Sequence, residues 1–115
     1  MKQKSRYIQD ILSNLGELNP YRIVLFGSHA TETHEEYSDL DFLVILDSDF
    51  VPKTYEEKMK KKLLVRDRIL EINKRVPIDL VVYTRAEYEI LEKNGGSFLN
   101  EIKNNGKTLY KKTSP

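Results

Sequence analysis

Residues 38–46 read SDLDFLVIL and combine two carboxylates with an apolar run. From Leu40 to Leu46 every residue except Asp41 is apolar, which is typical of a strand buried on both faces in the centre of a sheet. Asp39 and Asp41 stand at the start of this strand, where residues two positions apart share one face, about 7 Å apart at the Cα atoms. Because two carboxylates this close repel each other without a cation, the stretch predicts a charged site at one sheet edge.

Patterns on either side of this strand predict the other elements. Apolar residues at 8, 11, 12 and 15 predict a helix over 5–15, and a capping box at 54–57 predicts a long helix to about Lys74. The remaining predictions are strands at 21–26 and 78–83, a helix from the capping box at 84–87 to the glycines at 95–96, a helix at 98–104, a short edge strand at 107–110, and a loop or one-turn helix at 29–38. This order predicts an α+β (α/β) fold with helices over a small sheet.

The size and composition of the chain exclude several classes of protein. The 115 residues predict one domain over 1–115, without a second lobe. The absence of Cys excludes thiol enzymes, disulfide frameworks and thiolate metal sites. The longest apolar run, Phe42 to Leu46, is far shorter than the roughly 20 residues of a membrane span, and the N-terminal residues lack the apolar core of a signal peptide. We therefore expect a soluble cytoplasmic protein with no membrane contact.

The net charge of +1 conceals an uneven distribution. Residues 1–50 carry 4 basic and 9 acidic side chains, whereas residues 51–115 carry 15 basic and 9 acidic ones. This division is compatible with an acidic metal site and a basic surface for phosphates or a partner. For the lysines at 58 and 60–62 alone, the simpler interpretation is the solvated face of a helix.

A third acid, Asp79, lies inside the apolar run IDLVV at 78–82. A carboxylate there is unfavourable unless it is paired or binds a metal. If the long helix joins the second and third strands by a right-handed parallel crossover, Asp79 lies beside Asp39 and Asp41. Three acids on neighbouring strands indicate a divalent metal site with oxygen ligands.

Gly27 and Ser28 are predicted to reach the same edge, at the end of an antiparallel first strand. Glycine permits a tight backbone turn, and serine offers a hydroxyl and an N–H group to phosphate oxygens. A lone Gly-Ser pair is a weak signal, but an anion cradle facing three acids indicates phosphoryl or nucleotidyl transfer with Mg²⁺.

Other polar or aromatic residues are assigned structural roles. Residues 47–49 (DSD) repeat the Asp-x-Asp pattern but lie about 20 Å from the acidic end of the strand, and we interpret them as a turn or the start of a helix. His29 and His34 are interpreted as loop residues, because two His without Cys are too few for a zinc site. Met59 and Tyr55 are predicted to be core residues.

These motifs together resemble the nucleotidyltransferase superfamily that includes DNA polymerase β. Its signature reads here as residues 26–28 (FGS), a gap of ten residues, residues 39–42 (DLDF), and Asp79 as the third acid. The gap and the small size are similar to the minimal nucleotidyltransferase (MNT) group, and the resemblance covers nearly the whole chain, including the tail at 97–110. It implies a polymerase-β-like fold with a small mixed sheet and flanking helices.

The resemblance also implies a role for each site residue. Asp39 and Asp41 would bind two Mg²⁺ ions that bridge to the triphosphate of ATP. Asp79 would bind the catalytic ion and help to deprotonate the attacking hydroxyl, while Gly27 and Ser28 would hold the β- and γ-phosphates.

MNT proteins are typically encoded beside a helical HEPN-domain protein and act as antitoxins. The resemblance therefore implies transfer of AMP from ATP to a tyrosine hydroxyl of a HEPN ribonuclease toxin, as in a type VII-like toxin–antitoxin pair. The acceptor is expected on the partner chain, with the basic half of this chain and exposed aromatics such as Tyr88 or Tyr110 as interface candidates. Nucleic acid is not expected as a direct ligand.

Two alternatives stay open. Residues 29–32 (HATE) stand where MNT proteins commonly have Arg-Ala-Arg-Gly, so two positive charges near the triphosphate are absent. This departure favours a catalytically weak or inactive nucleotide-binding protein that neutralises its partner by complex formation. The weaker alternative is an antibiotic nucleotidyltransferase, against which the lack of an acceptor lobe counts.

Overall fold

The computed structural model describes residues 2–27 and 39–112, and its elements follow the predicted order with one addition. They are α1 (Lys2–Gly16), β1 (Arg22–Phe26), β2 (Leu40–Leu46), α2 (Tyr55–Arg68), α3 (Leu70–Asn73), β3 (Ile78–Thr84), α4 (Arg85–Asn94), α5 (Ser97–Asn105) and β4 (Lys107–Lys111). The predicted loop at 29–38, with both histidines, lies outside the described residues, as does Ser28. No helix in the described ranges is long and apolar enough to cross a membrane.

A four-stranded mixed sheet organises the fold, with the strand order β3-β2-β1-β4. β1 runs antiparallel to both β2 and β4, whereas β2 and β3 run parallel, as expected for strands joined by a helical crossover. Every residue of β2 except Asp41 is buried, which confirms the central position predicted from its apolar run. The α+β fold with a small mixed sheet and flanking helices is therefore confirmed.

Apolar side chains form one cluster on each face of this sheet. On one face, Phe42 packs with residues of α1 and α2. On the other face, Leu43 packs with residues of α4 and α5. Because strand residues alternate between faces, Asp41 shares the α4–α5 face with Leu43 and Ile45. The central strand thus delivers one carboxylate to a face that is otherwise apolar.

The predicted long helix ends earlier than Lys74, and two burial predictions are wrong. α2 ends at Arg68, because Ile69 leaves the helical conformation (φ −119°, ψ 11°) and the short α3 follows. Tyr55, predicted to be core, is 74% exposed, since it is the first residue of α2 and the helix packs on the sheet further along, at Val65 and Ile69. Tyr88, proposed as an exposed aromatic, is only 4% exposed because α4 turns it into the core, while Tyr110 is exposed.

Both predicted capping boxes are present, but they differ in burial. The Thr54 hydroxyl accepts a hydrogen bond from the Glu57 N–H at 3.1 Å, in an exposed position. The Thr84 hydroxyl accepts one from the Glu87 N–H at 3.1 Å, and it also donates to the Phe50 carbonyl at 2.6 Å. Thr84 is fully buried, so its hydroxyl joins the start of α4 to the segment that follows β2.

The substitution Thr84→Ala is expected to lower the free energy of unfolding by about 2 kcal/mol, because it removes a cap and leaves a carbonyl without its donor. Thr54→Ala serves as the matched control and is expected to lower it by about 1 kcal/mol or less, since water replaces the lost bond. Urea denaturation of the two variants measures the difference. Equal losses would mean that the bond to Phe50 contributes nothing.

Candidate active site

The pairing of the strands brings two of the predicted acids side by side. Asp41 and Asp79 are direct partners in the parallel β2–β3 pair, and Phe26 is the partner of Asp41 on the antiparallel side. Neighbouring strands lie about 4.8 Å apart, so the two acids are adjacent on the α4–α5 face. Asp39 lies just before β2, close enough for its charge to act on Asp41. All three acids therefore lie at the same end of β2 and β3.

The three carboxylates at this end of the strands repel one another. Asp39 and Asp79 are exposed, whereas Asp41 is half-buried between them. Burial raises the pKa of the Asp41 carboxyl above its usual value, and the negative charges of Asp79 and Asp39 raise it further. A bound divalent cation would reverse these contributions, because it favours the ionised carboxylate.

Gly27 directly follows β1, and its backbone runs close to the Asp41 side chain. Its φ of +73° lies in the left-handed region, which glycine adopts without strain. A Cβ atom at this position would lie 3.2 Å from Cγ of Asp41 and far inside van der Waals contact of Oδ2. Only glycine therefore permits both this turn and this position of the carboxylate.

The donor atoms of these three acids suit a hard cation such as Mg²⁺, because all of them are carboxylate oxygens. Within residues 2–27 and 39–112, however, no group of three or more His, Cys, Asp or Glu side chains is arranged to hold a metal ion. Metal binding by this set stays a prediction.

The metal-free protein is expected to become more stable when Asp41 is replaced by asparagine. The raised pKa means that ionisation of Asp41 weakens the fold as the pH rises above its usual value of 3.8. Asp41→Asn removes the repulsion and should raise the free energy of unfolding at pH 7.5 in EDTA by about 0.5 kcal/mol, or roughly 2–3 °C in Tm.

Thermal denaturation at pH 7.5 and pH 3.5 checks this expectation. At the lower pH Asp41 is mostly protonated in both states, so the stability difference should become small. Added Mg²⁺ should stabilise the unsubstituted chain and not Asp41→Asn. A variant that is less stable than the parent in EDTA at pH 7.5 would contradict the electrostatic account.

The second Asp-x-Asp pair, at 47–49, is neutralised by neighbouring cations. Asp47 accepts a hydrogen bond from the Lys112 ammonium at 2.7 Å and lies 3.4 Å from Arg85 Nε, while Asp49 pairs with the same arginine. The hydrogen bond from Lys112 lowers the pKa of Asp47, opposite to the shift at Asp41. Residues 47–49 lie in the segment between β2 and α2 and do not start the helix, whose N-cap is Thr54; their charges are already paired at the far end of β2.

Three aromatic rings on the same face as the acids went unnoticed in the sequence as a group. Phe26, the strand partner of Asp41, packs edge-to-face on Phe98 of α5 with ring centroids 5.4 Å apart. Phe98 in turn packs on Tyr83 of β3 at 6.5 Å. Strand alternation could have predicted that Phe26, Asp41 and Tyr83 share one sheet face. The contact with Phe98 of α5 could not be predicted, because it depends on how α5 packs on the sheet.

A mixed sheet that joins a glycine turn after its first strand to acids on two parallel strands is the arrangement expected of a polymerase-β-like nucleotidyltransferase fold. Residues 5–109 match the family model of the Nucleotidyltransferase domain. The match spans most of the chain, and the chain therefore belongs to the nucleotidyltransferase family.

Solved structures share the fold, and one of them does so at low sequence identity. It is a chain from the crystal structure of a toxin-antitoxin with AMP-PNP, at 17% identity and a TM-score of 0.52, with 90% of this chain and 73% of that chain covered. At this identity the likeness establishes the fold alone. No curated protein matches the chain. Membership of the MNT group stays a prediction.

Proposed function

We propose that this chain is a Mg²⁺-dependent nucleotidyltransferase that acts as an antitoxin and transfers AMP from ATP to a tyrosine hydroxyl of a helical HEPN-type toxin. The observation that carries the proposal is the pairing of Asp41 with Asp79, with Asp39 just before β2 and the left-handed Gly27 against Asp41, in a chain of the nucleotidyltransferase family. The shared fold with a toxin-antitoxin that was crystallised with AMP-PNP supports the choice of an adenine nucleotide and a toxin partner.

Each residue at the acidic end of the strands has a proposed role. Asp39 and Asp41 hold two Mg²⁺ ions, which when bound neutralise the triphosphate and the charge that develops at the α-phosphorus. Asp79, the strand partner of Asp41, is a further metal ligand and helps to remove the proton of the attacking hydroxyl. The backbone of Gly27, together with Ser28, holds the β- and γ-phosphates.

The packing of the described helices favours an acceptor on another protein chain. The four longer helices contribute to the apolar clusters on the two faces of the sheet, so none of them forms a separate acceptor-binding lobe. A tyrosine hydroxyl brought by another chain would attack the α-phosphorus, lose its proton and release pyrophosphate. The bond between the tyrosine oxygen and the α-phosphorus forms as the bond between the α-phosphorus and the oxygen of the pyrophosphate breaks.

Labelling of the partner tests this proposal. The chain is incubated with Mg²⁺ and the purified product of the adjacent gene, once with ATP labelled at the α-phosphate and once with ATP labelled at the γ-phosphate. The α-label is expected on a tyrosine of that product, with the mass of one AMP, whereas the γ-label should leave as pyrophosphate. Transfer of the γ-label, or of neither label, would contradict nucleotidyl transfer to the partner.

A second candidate function is neutralisation of the partner by complex formation alone. The sequence HATE at 29–32, where MNT proteins commonly carry two arginines, favours weak catalysis. Cells that produce the toxin distinguish the two functions. If the double variant Asp39→Asn/Asp41→Asn protects growth as well as the parent chain does, binding suffices; if protection is lost while the complex still forms, transfer is required.

A further inference from the structure

Exposed apolar side chains are concentrated in one segment of the chain. Of the seven large hydrophobic side chains that are markedly exposed in the described ranges, five lie between residues 50 and 70: Phe50, Tyr55, Leu63, Leu64 and Leu70. Single exposed apolar residues are ordinary. Tyr55 and Leu64 lie on opposite sides of α2, because nine residues make two and a half turns, so these side chains share a segment of the chain and not one continuous surface.

Within this segment lies a groove between Phe50 and α2. The lining residues on the helix are Glu57, Lys60, Lys61 and Leu64, at the spacing of one helical stripe, and the volume is about 450 Å³. Phe50 is 45% exposed and Leu64 is 46% exposed. The Lys61 ammonium lies 5.5 Å from the centroid of the Phe50 ring, a cation–π contact. The groove is therefore apolar in its middle and cationic along the helix.

The segment that carries Phe50 is held in place by hydrogen bonds from several directions. Its carbonyl accepts from the buried Thr84 hydroxyl at 2.6 Å, and its N–H donates to the Ser48 hydroxyl at 3.1 Å. Next to it, Asp49 pairs with Arg85. A groove whose wall is fixed before binding loses little conformational entropy when a ligand enters.

The charge of the groove is positive, and its lysines are not paired with acids within the described residues. Glu57 is its one acid, and that carboxylate accepts the N–H groups of Lys53 and Thr54 at 2.9 and 3.2 Å, so it is committed to the cap of α2. The hydrogen bond from the Lys53 N–H lowers the pKa of Glu57. Neither Lys60 nor Lys61 takes part in an ion pair within the described part of the chain.

We propose that this groove binds an acidic amphipathic helix of a partner protein, with a leucine or phenylalanine between Phe50 and Leu64 and carboxylates on Lys60 and Lys61. Charge complementarity and the apolar middle of the groove select this occupant, because a helix carries apolar and acidic residues on adjacent faces. This inference depends on the proposed function in one respect, because both assume that the chain binds a partner protein.

The groove and Asp41 lie on opposite sides of the sheet. α2 packs on the face that carries Phe42, whereas Asp41 lies on the face of α4 and α5. Docking at the groove is therefore separable from transfer at the acids. Lys58, Lys60 and Lys62 are exposed, as the solvated-face interpretation predicts, and Lys60 and Lys61 also line the groove.

Titration of the ¹⁵N-labelled chain with defined helical peptides tests the proposal. The probe is a stapled amphipathic peptide of Glu, Leu and Ala; the matched peptides replace every Glu by Lys, or every Leu by Ala. Amide shifts are expected over residues 50–64 with the Glu/Leu peptide, and at least tenfold weaker binding of both matched peptides. Equal binding of the three peptides, or shifts elsewhere, would overturn it.

Surface variants sharpen this result. Lys60→Glu/Lys61→Glu should weaken the Glu/Leu peptide at least tenfold and transfer the preference to the Lys/Leu peptide, and Leu64→Ser should weaken both. Lys93→Glu, an exposed change on α4, is the matched control without effect. The variant Asp39→Asn/Asp41→Asn should bind the peptide normally, so failure of the groove and failure of the proposed transfer are distinguished.

Two other occupants would show different behaviour and would overturn the proposal. If a second copy of the chain fills the groove, sedimentation will show a dimer that Leu64→Ser dissociates. If nucleic acid is the ligand, a single-stranded RNA oligonucleotide will displace the peptide from the parent chain and bind Leu64→Ser equally well.

Discussion

Replacing Asp39 and Asp41 together by asparagine is expected to reduce the initial rate of AMP transfer to the partner by about 10³-fold or more. The substitution keeps the size of both side chains and removes the charges that hold the metal ions, and stabilisation of the developing negative charge is the main source of catalysis in such a reaction. The rate of incorporation of α-labelled ATP into the purified partner measures the effect.

The chain contains its own control for this experiment. Asp47→Asn/Asp49→Asn makes the same chemical change in a second Asp-x-Asp pair, whose charges are paired with Lys112 and Arg85 at the other end of β2. This variant is expected to transfer AMP within about threefold of the parent rate, since exposed ion pairs contribute little to stability. A large rate loss in both variants, or in neither, would show that the acids at 39 and 41 are not the site.

Stability measurements separate loss of chemistry from loss of the fold. Because Asp41→Asn alone is expected to stabilise the metal-free protein, an inactive double variant with an unchanged or higher Tm has lost its site and not its structure. An unfolded double variant would instead mean that these acids are needed for the fold.

The second large effect is expected at Gly27, where alanine should reduce AMP transfer by about 10²-fold. An alanine Cβ would overlap Oδ2 of Asp41, the mobile end of that side chain, so the carboxylate must rotate away from its present position. Displacement of a catalytic group by about 1 Å is enough for a loss of this size. The left-handed φ adds strain, which should lower the free energy of unfolding by about 1 kcal/mol.

Gly95 offers a closely matched control. It has the same φ of +73°, but a Cβ atom there would meet nothing within 4 Å. Gly95→Ala should lower the stability, because φ +73° with ψ −163° is a backbone conformation that is essentially restricted to glycine, while transfer stays near the parent rate. If Gly95→Ala is equally inactive, or if Gly27→Ala transfers AMP normally, the close approach of Gly27 to Asp41 has no catalytic meaning. Urea denaturation and the labelling assay together decide between these outcomes.

The sequence alone predicted the secondary structure and its order closely. The run at 40–46 has no polar face except at Asp41, and such a run is stable only in the centre of a sheet. Thr54 and Thr84 with their glutamates three residues later mark helix starts by local hydrogen bonding, which depends on nothing distant. A carboxylate in a buried apolar strand is unfavourable, which made Asp41 recognisable as a functional candidate; Asp79 lies exposed on the edge strand β3, so the penalty that singled it out in the sequence does not apply and its place beside Asp41 follows from the strand pairing.

The tertiary structure decided how these elements meet. The register that pairs Asp41 with Asp79 depends on contacts between residues far apart in the chain. The exposure of Tyr55, Phe50 and Leu64 depends on which stripe of α2 the sheet can cover. Helical spacing predicts which residues share one face of a helix. Whether that face is buried depends on whether another part of the protein packs against it. A sequence therefore determines the local periodicities and the chemistry of the candidate acids, while packing between distant segments decides their neighbours and the surface that is left for a partner.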